Sequence, residues 1–264
     1  LKAWSGLCED TLRSQGAIMP TSSVEAHIRA HYPNAIPVTA FRRQAFGALE
    51  REFGVPLAQV LLATSICADD IVWVSDADGN METQHATHEL LGPFEMGGLA
   101  GLPSTGLTGM MAYAHHIPDH GAACIVYGPH IGMTDLGQLG KVLRPGQHVE
   151  SAACGALALA LRHFQSSPEY EPTLDEDDSQ ESLLELRLRP YRARFLPAAD
   201  PLKAATELVY DTIHQLIHRY VRTVKDQFRC EHIALFGVLI VNTGPDFEDY
   251  VDLRHSAMLR VADL

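Results

Sequence analysis

With 264 residues, the chain is long enough to bury a substantial core as one large domain or two small ones. A formal net charge of −13, from 20 Lys and Arg against 33 Asp and Glu, argues against nucleic acid or an anionic membrane surface as the main partner. Apolar residues make up 46% of the chain, yet no apolar run reaches the ~18–20 residues a membrane-spanning helix needs, so no membrane insertion is expected.

Residues 1–36 carry helical patches at Cys8–Gln15 and Val24–Ala30, before His31-Tyr32-Pro33-Asn34-Ala35 breaks into a loop. Val38–Phe53 reads as an amphipathic helix. Phe41, Ala45, Leu49 and Phe53 share one face, while Arg42, Arg43, Glu50 and Arg51 lie off it. Gly54 and Pro56 close it. Gln59–Ile66 is a nearly continuous apolar run, expected as a buried central strand. Its carboxyl end delivers Cys67-Ala68-Asp69-Asp70, and in open α/β sheets that is where reacting groups gather. Ser75–Glu82 is a polar turn around Asp78-Gly79-Asn80.

Gly97, Gly98, Gly101, Gly106 and Gly109 follow, a density that lets backbone line a narrow pocket. The stretch lacks the lysine of a phosphate loop and the spacing of a dinucleotide fingerprint, which argues against a nucleotide. Ala122–Tyr127 reads as a second buried strand running into Gly128-Pro129-His130. Glu150-Ser151 opens an alanine- and leucine-rich helix through Phe164, with Cys154 in its first turn. Residues 166–182 are polar and heavily acidic, expected as a solvated, mobile insertion in a single domain spanning 1–264.

Pro201–Phe228 is the clearest helix. Leu202, Val209, Ile213, Leu216, Tyr220 and Val224 form its apolar stripe, and Glu207, Asp211, His214, His218 and Arg222 its wet face. His214 and His218 have the i, i+4 spacing of a metal pair, but their acidic neighbours favour a solvated face. His232–Asn242 is a third buried strand. Strands alternating with helices imply an α/β fold, with a mostly parallel central sheet flanked by helices.

Five cysteines, widely spaced and odd in number, do not make a secreted disulfide framework. They suit a soluble protein of a reducing compartment, cytoplasm or plastid stroma. No signal peptide is evident, and because the sequence begins at Leu1 no targeting is read from it. Cys124 and Cys230 read as core and Cys8 as inert. Cys67, His130 and Cys154 stand at a strand end or a helix start, and thiolate and imidazole are the ligands zinc prefers. A helix N-terminus would further favour thiolate at Cys154. Their intervals are long, and spacing alone favours two buried thiols with a hydrogen-bonded histidine between them.

In combination, Ser65-Ile66-Cys67-Ala68-Asp69-Asp70, Gly97-Gly98-Leu99-Ala100-Gly101, Tyr127-Gly128-Pro129-His130-Ile131-Gly132 and Ser151-Ala152-Ala153-Cys154-Gly155 resemble the limiting-CO2-inducible B/C protein family, the theta class of carbonic anhydrase. The resemblance runs from about His31 to His255. It implies a beta-carbonic-anhydrase-like fold, a homodimer, and zinc held by Cys67, His130 and Cys154. It also implies hydration of CO2 to bicarbonate, with Asp69 as the catalytic aspartate. The beta pattern places an arginine two residues after that aspartate to restrain it; here Ile71 stands there, leaving Arg43 or Arg144 as alternatives. The same departure admits a second reading, a catalytically silent zinc-binding member acting in a complex for inorganic-carbon handling. Phe94, Gly97, Gly98 and Leu99 are the candidate substrate pocket. His88, with His115, His116 and His120, is the candidate proton relay. A zinc deaminase is disfavoured because the chain has no Cys-x-x-Cys pair. Redox use of Cys67 and Cys154 is a further rival that metal analysis would decide.

Overall fold

A computed structural model describes residues 23–75, 81–83, 90–167 and 169–264. Cys8, His88 and the Asp78-Gly79-Asn80 turn lie outside the described residues. The chain begins with α1 (Ser23–His31), β1 (Ile36–Pro37), α2 (Val38–Phe53) and β2 (Val60–Ser65). Next come the short pair β3 (Trp73–Ser75) and β4 (Met81–Thr83), then β5 (Leu91–Glu95) and α3 (Gly106–His116). Strand β6 (Ala122–Tyr127) is separated from β7 (His130–Gly132) by Gly128-Pro129, and β8 (Lys141–Val142) and β9 (Ser151–Ala152) pair with each other. Helices α4 (Gly155–Ser166), α5 (Ser179–Leu188), α6 (Arg192–Phe195) and α7 (Pro201–Thr223) precede the long strands β10 (His232–Asn242) and β11 (Tyr250–Arg260).

The main sheet has the order β1-β11-β10-β6-β2-β5, with β7 also on β10. The three apolar runs expected as buried strands are therefore neighbours, and they pair in parallel. The chain closes with an antiparallel pair, β10 with β11, so the sheet is mixed but mostly parallel. Alternation along each strand sends side chains to opposite faces. Val60, Leu62, Cys124, Val126, Ala234 and Phe236 meet α2 through Phe41, Phe46 and Leu49. Leu61, Ala63, Ala123, Ile125, Ile233 and Leu235 meet α3, α4 and α7 through Tyr113, Leu157 and Ile213. Both faces are covered, which is why these strands are continuously apolar. Among the described residues, no helix is long and apolar enough to cross a membrane.

Helix α2 ends as its sequence requires, with Gly54 at φ 64° donating its N–H to the Glu50 carbonyl. Four features differ from expectation. Helix α7 ends at Thr223 rather than Phe228. Helix α3 forms within the glycine-rich stretch, despite Gly106 and Gly109, because Met110, Tyr113 and Ala114 are fully buried on its inner face. Helix α4 begins later than expected, leaving Cys154 at its N-cap rather than in its first turn. The acidic segment is not solvated throughout. From Ser179 it winds into α5, with Glu181 and Ser182 buried, and upstream Tyr170 packs on Phe164.

Candidate metal centre

The carboxyl ends of β2 and β6 converge on one place. Cys67 follows β2 by two residues, and His130 opens β7 just after β6. The turn between β6 and β7 depends on Gly128, whose φ is +153° and whose Cα lies against the Val238 carbonyl. A Cβ there would overlap that oxygen, so only glycine fits where the chain leaves β6 and rejoins β10 as β7 to present His130. Cys154 arrives from the other side at the N-cap of α4. The three side chains are buried, and their ligand atoms all lie within 4.8 Å of one another.

The two sulfurs are 3.7 Å apart. Two Zn–S bonds of about 2.3 Å at a tetrahedral angle would place sulfurs about 3.8 Å apart. His130 Nδ1 lies 2.7 Å from Asn242 Oδ1. Asn242 is oriented in turn because its Nδ2 donates to Asp249 Oδ2 at 2.7 Å and to the Ile71 carbonyl at 3.3 Å. With Oδ1 thus the acceptor, His130 carries its hydrogen on Nδ1, and Nε2 offers a lone pair towards the sulfurs. That Nε2 is buried without a hydrogen-bond partner among the described residues. An orphaned imidazole nitrogen facing two thiols fits a metal ion, and the donor set suits zinc.

Without a cation the thiols share one negative charge. The Cys154 S–H lowers the Cys67 pKa to about 4, against the upward pull of burial, with help from His130. Cys154 moves the opposite way, raised first by its hydrogen bond to Cys67 and then by burial. The Leu157 N–H at the start of α4 pulls the other way, as expected from sequence, without outweighing them. Burial lowers the His130 pKa, but the Cys67 thiolate more than offsets this, so the net shift is upward. Nε2, whose lone pair faces the sulfurs, is the atom a metal would bind.

Asp69 lies beside this set, with Oδ2 3.8 Å from His130 Nε2. Of the two alternative arginines, Arg144 restrains it: Nη1 donates to Oδ1 at 2.6 Å and Nη2 to Oδ2 at 2.9 Å. Arg43 is exposed on α2. Arg144 is braced by Ser151 Oγ and the Ala152 carbonyl, and also donates to Asp70. Ile71, where an arginine was expected, contributes its backbone N–H to Asp69 Oδ1 instead. Burial raises the Asp69 pKa, but Arg144 and the other donors outweigh it and hold the carboxyl at about 2.

A cavity of about 340 Å3 opens beside Cys67, lined by Thr64, Ile66, Cys67, Ala68, Glu95 and Gly97. Of the candidate pocket residues, Gly97 lines it, its Cα so close to the Ile66 peptide that a Cβ would not fit. Gly98 faces Gln180 and Ser104, and the Leu99 N–H donates to Gln180 Oε1 at 2.8 Å. Phe94 points elsewhere, packed against Tyr113 and His116. His115 pairs with Gln227, and His120 is exposed. Sequence reasoning missed Asn242, Asp249 and Glu95. Only Asn242, a polar end to an apolar strand, carried a local signal.

His214 and His218 are also not simply solvated. Both are half-buried, and His214 Nδ1 lies 2.8 Å from the Tyr127 hydroxyl. Burial lowers the pKa of each, His218 to about 4 with help from its histidine neighbours.

The family model for limiting CO2-inducible proteins B/C beta carbonic anhydrases matches residues 35–260. Among solved structures, PtLCIB4, a homologue of the limiting CO2-inducible protein LCIB, is 28% identical with a TM-score of 0.79. The match covers 90% of this chain and 96% of that one. A point variant of PtLCIB4 gives 27% identity and a TM-score of 0.78, covering 91% and 95%. LCIB itself is 17% identical with a TM-score of 0.60 over 88% and 96%, a likeness of fold. No curated protein sequence matched.

Proposed function

Because the chain belongs to the family of limiting CO2-inducible proteins B/C beta carbonic anhydrases, we propose that it interconverts CO2 and bicarbonate at a zinc ion held by Cys67, His130 and Cys154. The observation that carries this reading is the two-pronged grip of Arg144 on Asp69 beside those three ligands. A carboxylate so held stays ionised and stays in place, ready to accept a hydrogen bond rather than occupy a metal.

Zinc, when bound, lowers the pKa of water from ~15.7 towards ~7 and so supplies hydroxide at neutral pH. The remaining work falls to the chain. Asn242 and Asp249 fix the His130 tautomer and ring plane. Asp69, an acceptor only, orients the attacking O–H by accepting its hydrogen. Ile66, Ala68 and the bare Gly97 backbone give CO2 an apolar wall next to Cys67. Glu95, exposed on the cavity lining, takes the proton that must leave after each turnover. The working form is a homodimer, which sedimentation at micromolar concentration tests.

Direct assay of CO2 hydration on the zinc-loaded protein, with Cys67→Ser and Asp69→Asn beside it, decides the matter. We expect hydration well above both variants. Equal rates for all three, with zinc retained by the wild type, would select the silent zinc-binding reading.

A further inference from the structure

A second group of metal-binding side chains lies on a different part of the molecule. His214 and His218 sit one turn apart on α7 and so share a face. His255 joins them from β11, where it stands directly opposite Gly237 of β10. The three rings are close, with centroid separations of 4.3 Å, 4.8 Å and 5.0 Å, and one ligand atom from each falls within 4.8 Å of the others. Gly237 makes the room: a Cβ there would run into the Tyr210 hydroxyl and the Tyr127 ring.

Plain aromatic packing would leave each ring nitrogen with a hydrogen-bond partner or water. Instead, His255 Nε2 is buried with no partner among the described residues. The Tyr127 hydroxyl meets His214 Nδ1 at 2.8 Å and reaches towards His218 Nε2 at 3.5 Å. That is the supporting shell a metal-binding histidine uses to fix its ring. We propose that His214, His218 and His255 form a second metal site, which takes a divalent ion of the zinc, copper and nickel class on three imidazole nitrogens. Three neutral nitrogens without a thiolate or carboxylate suit those ions rather than calcium or magnesium. Three protein ligands leave one coordination position open. The groove beside His214 and His218 is lined by Gln215, Arg219, Arg222 and Thr223. Two arginines there favour an anion as the fourth ligand.

The inference does not rest on the proposed function, and metal counting separates the two sites. Protein stripped with chelator is reloaded with zinc alone, and bound metal is measured for the wild type, His218→Gln, His255→Gln and Cys67→Ser. We expect the wild type to hold a second equivalent. Each histidine variant should lose one equivalent and keep the other, and Cys67→Ser should lose only the ion at the thiolates. Histidine variants holding as much metal as the wild type would overturn the site, whereas a single equivalent lost in them and kept in Cys67→Ser would support it and refute zinc at the thiolates instead. Copper(II) spectroscopy on the folded wild type gives an independent reading if a variant does not fold. A nitrogen-only ligand signature supports the site, and a sulfur-ligated signature alone refutes it.

Discussion

Arg144 donates to both carboxylate oxygens of Asp69 across 75 residues of chain, each side chain only 13% exposed. The pair replaces a local device with a distant one. Ile71 cannot restrain Asp69 through its side chain, so the loop between β8 and β9 carries the guanidinium instead. Removing one partner of such a pair leaves a charge with its hydration already lost.

Arg144→Ala should therefore lower CO2 hydration by about 10–100-fold while the protein stays folded, since the supporting partner of a metal site typically contributes that much. Arg144→Lys should recover little, because an ammonium cannot serve two oxygens in a plane. Stopped-flow hydration with circular dichroism as the folding control checks both.

Asn242→Ala should weaken zinc binding by about 10–100-fold, because it frees the His130 tautomer and strips Asp249 of a donor. Competition against a chromophoric chelator measures this directly. Unchanged affinity would mean that Asn242 serves only strand β10.

Glu181 is only 5% exposed, and its Oε1 has no hydrogen-bond partner among the described residues. Burial first, then the Glu185 and Asp178 carboxylates, raise its pKa from 4.5 to about 7. The folded chain thus holds this proton more tightly than the unfolded chain. Its contribution to stability is fullest below pH 4.5 and declines as pH rises through about 7. Glu181→Gln should remove that decline and raise the melting temperature at pH 8 relative to the wild type, with little difference at pH 4.5. Thermal unfolding at the two pH values tests it.

Gly128→Ala should abolish soluble expression or lower stability by more than about 4 kcal/mol, because the new Cβ overlaps the Val238 carbonyl oxygen. Gly146→Ala is the comparison: it also has positive φ, but its Cβ would enter open space, so its effect should stay near about 1 kcal/mol. Urea unfolding of the two variants ranks them.

Much of the scaffold is readable because it obeys short-range rules. Val38–Phe53 has helical period and a glycine stop, and Ala122–Tyr127 and His232–Asn242 are apolar without interruption; all three match the observed elements residue for residue. The ligand set was legible only through its combination of motifs, since Cys67, His130 and Cys154 meet through tertiary packing. Helix α3 was missed because Gly106 and Gly109 weaken a helix whose stability comes from burying Tyr113. His214 and His218 were read as wet because their partners, Tyr127 and His255, come from distant strands. Arg144 could be proposed as a candidate, but nothing local distinguished it from Arg43.

Gln180 belongs to the stretch that sequence alone would treat as disposable. By accepting the Leu99 N–H, it fastens the start of α5 to the shelf beside Cys67. A minimal scaffold must keep both ends of this stretch: Tyr170 packs on Phe164 and donates to Glu185, and a cut through Gln180 would unmoor a wall of the cavity, so the tract is a tether at each end.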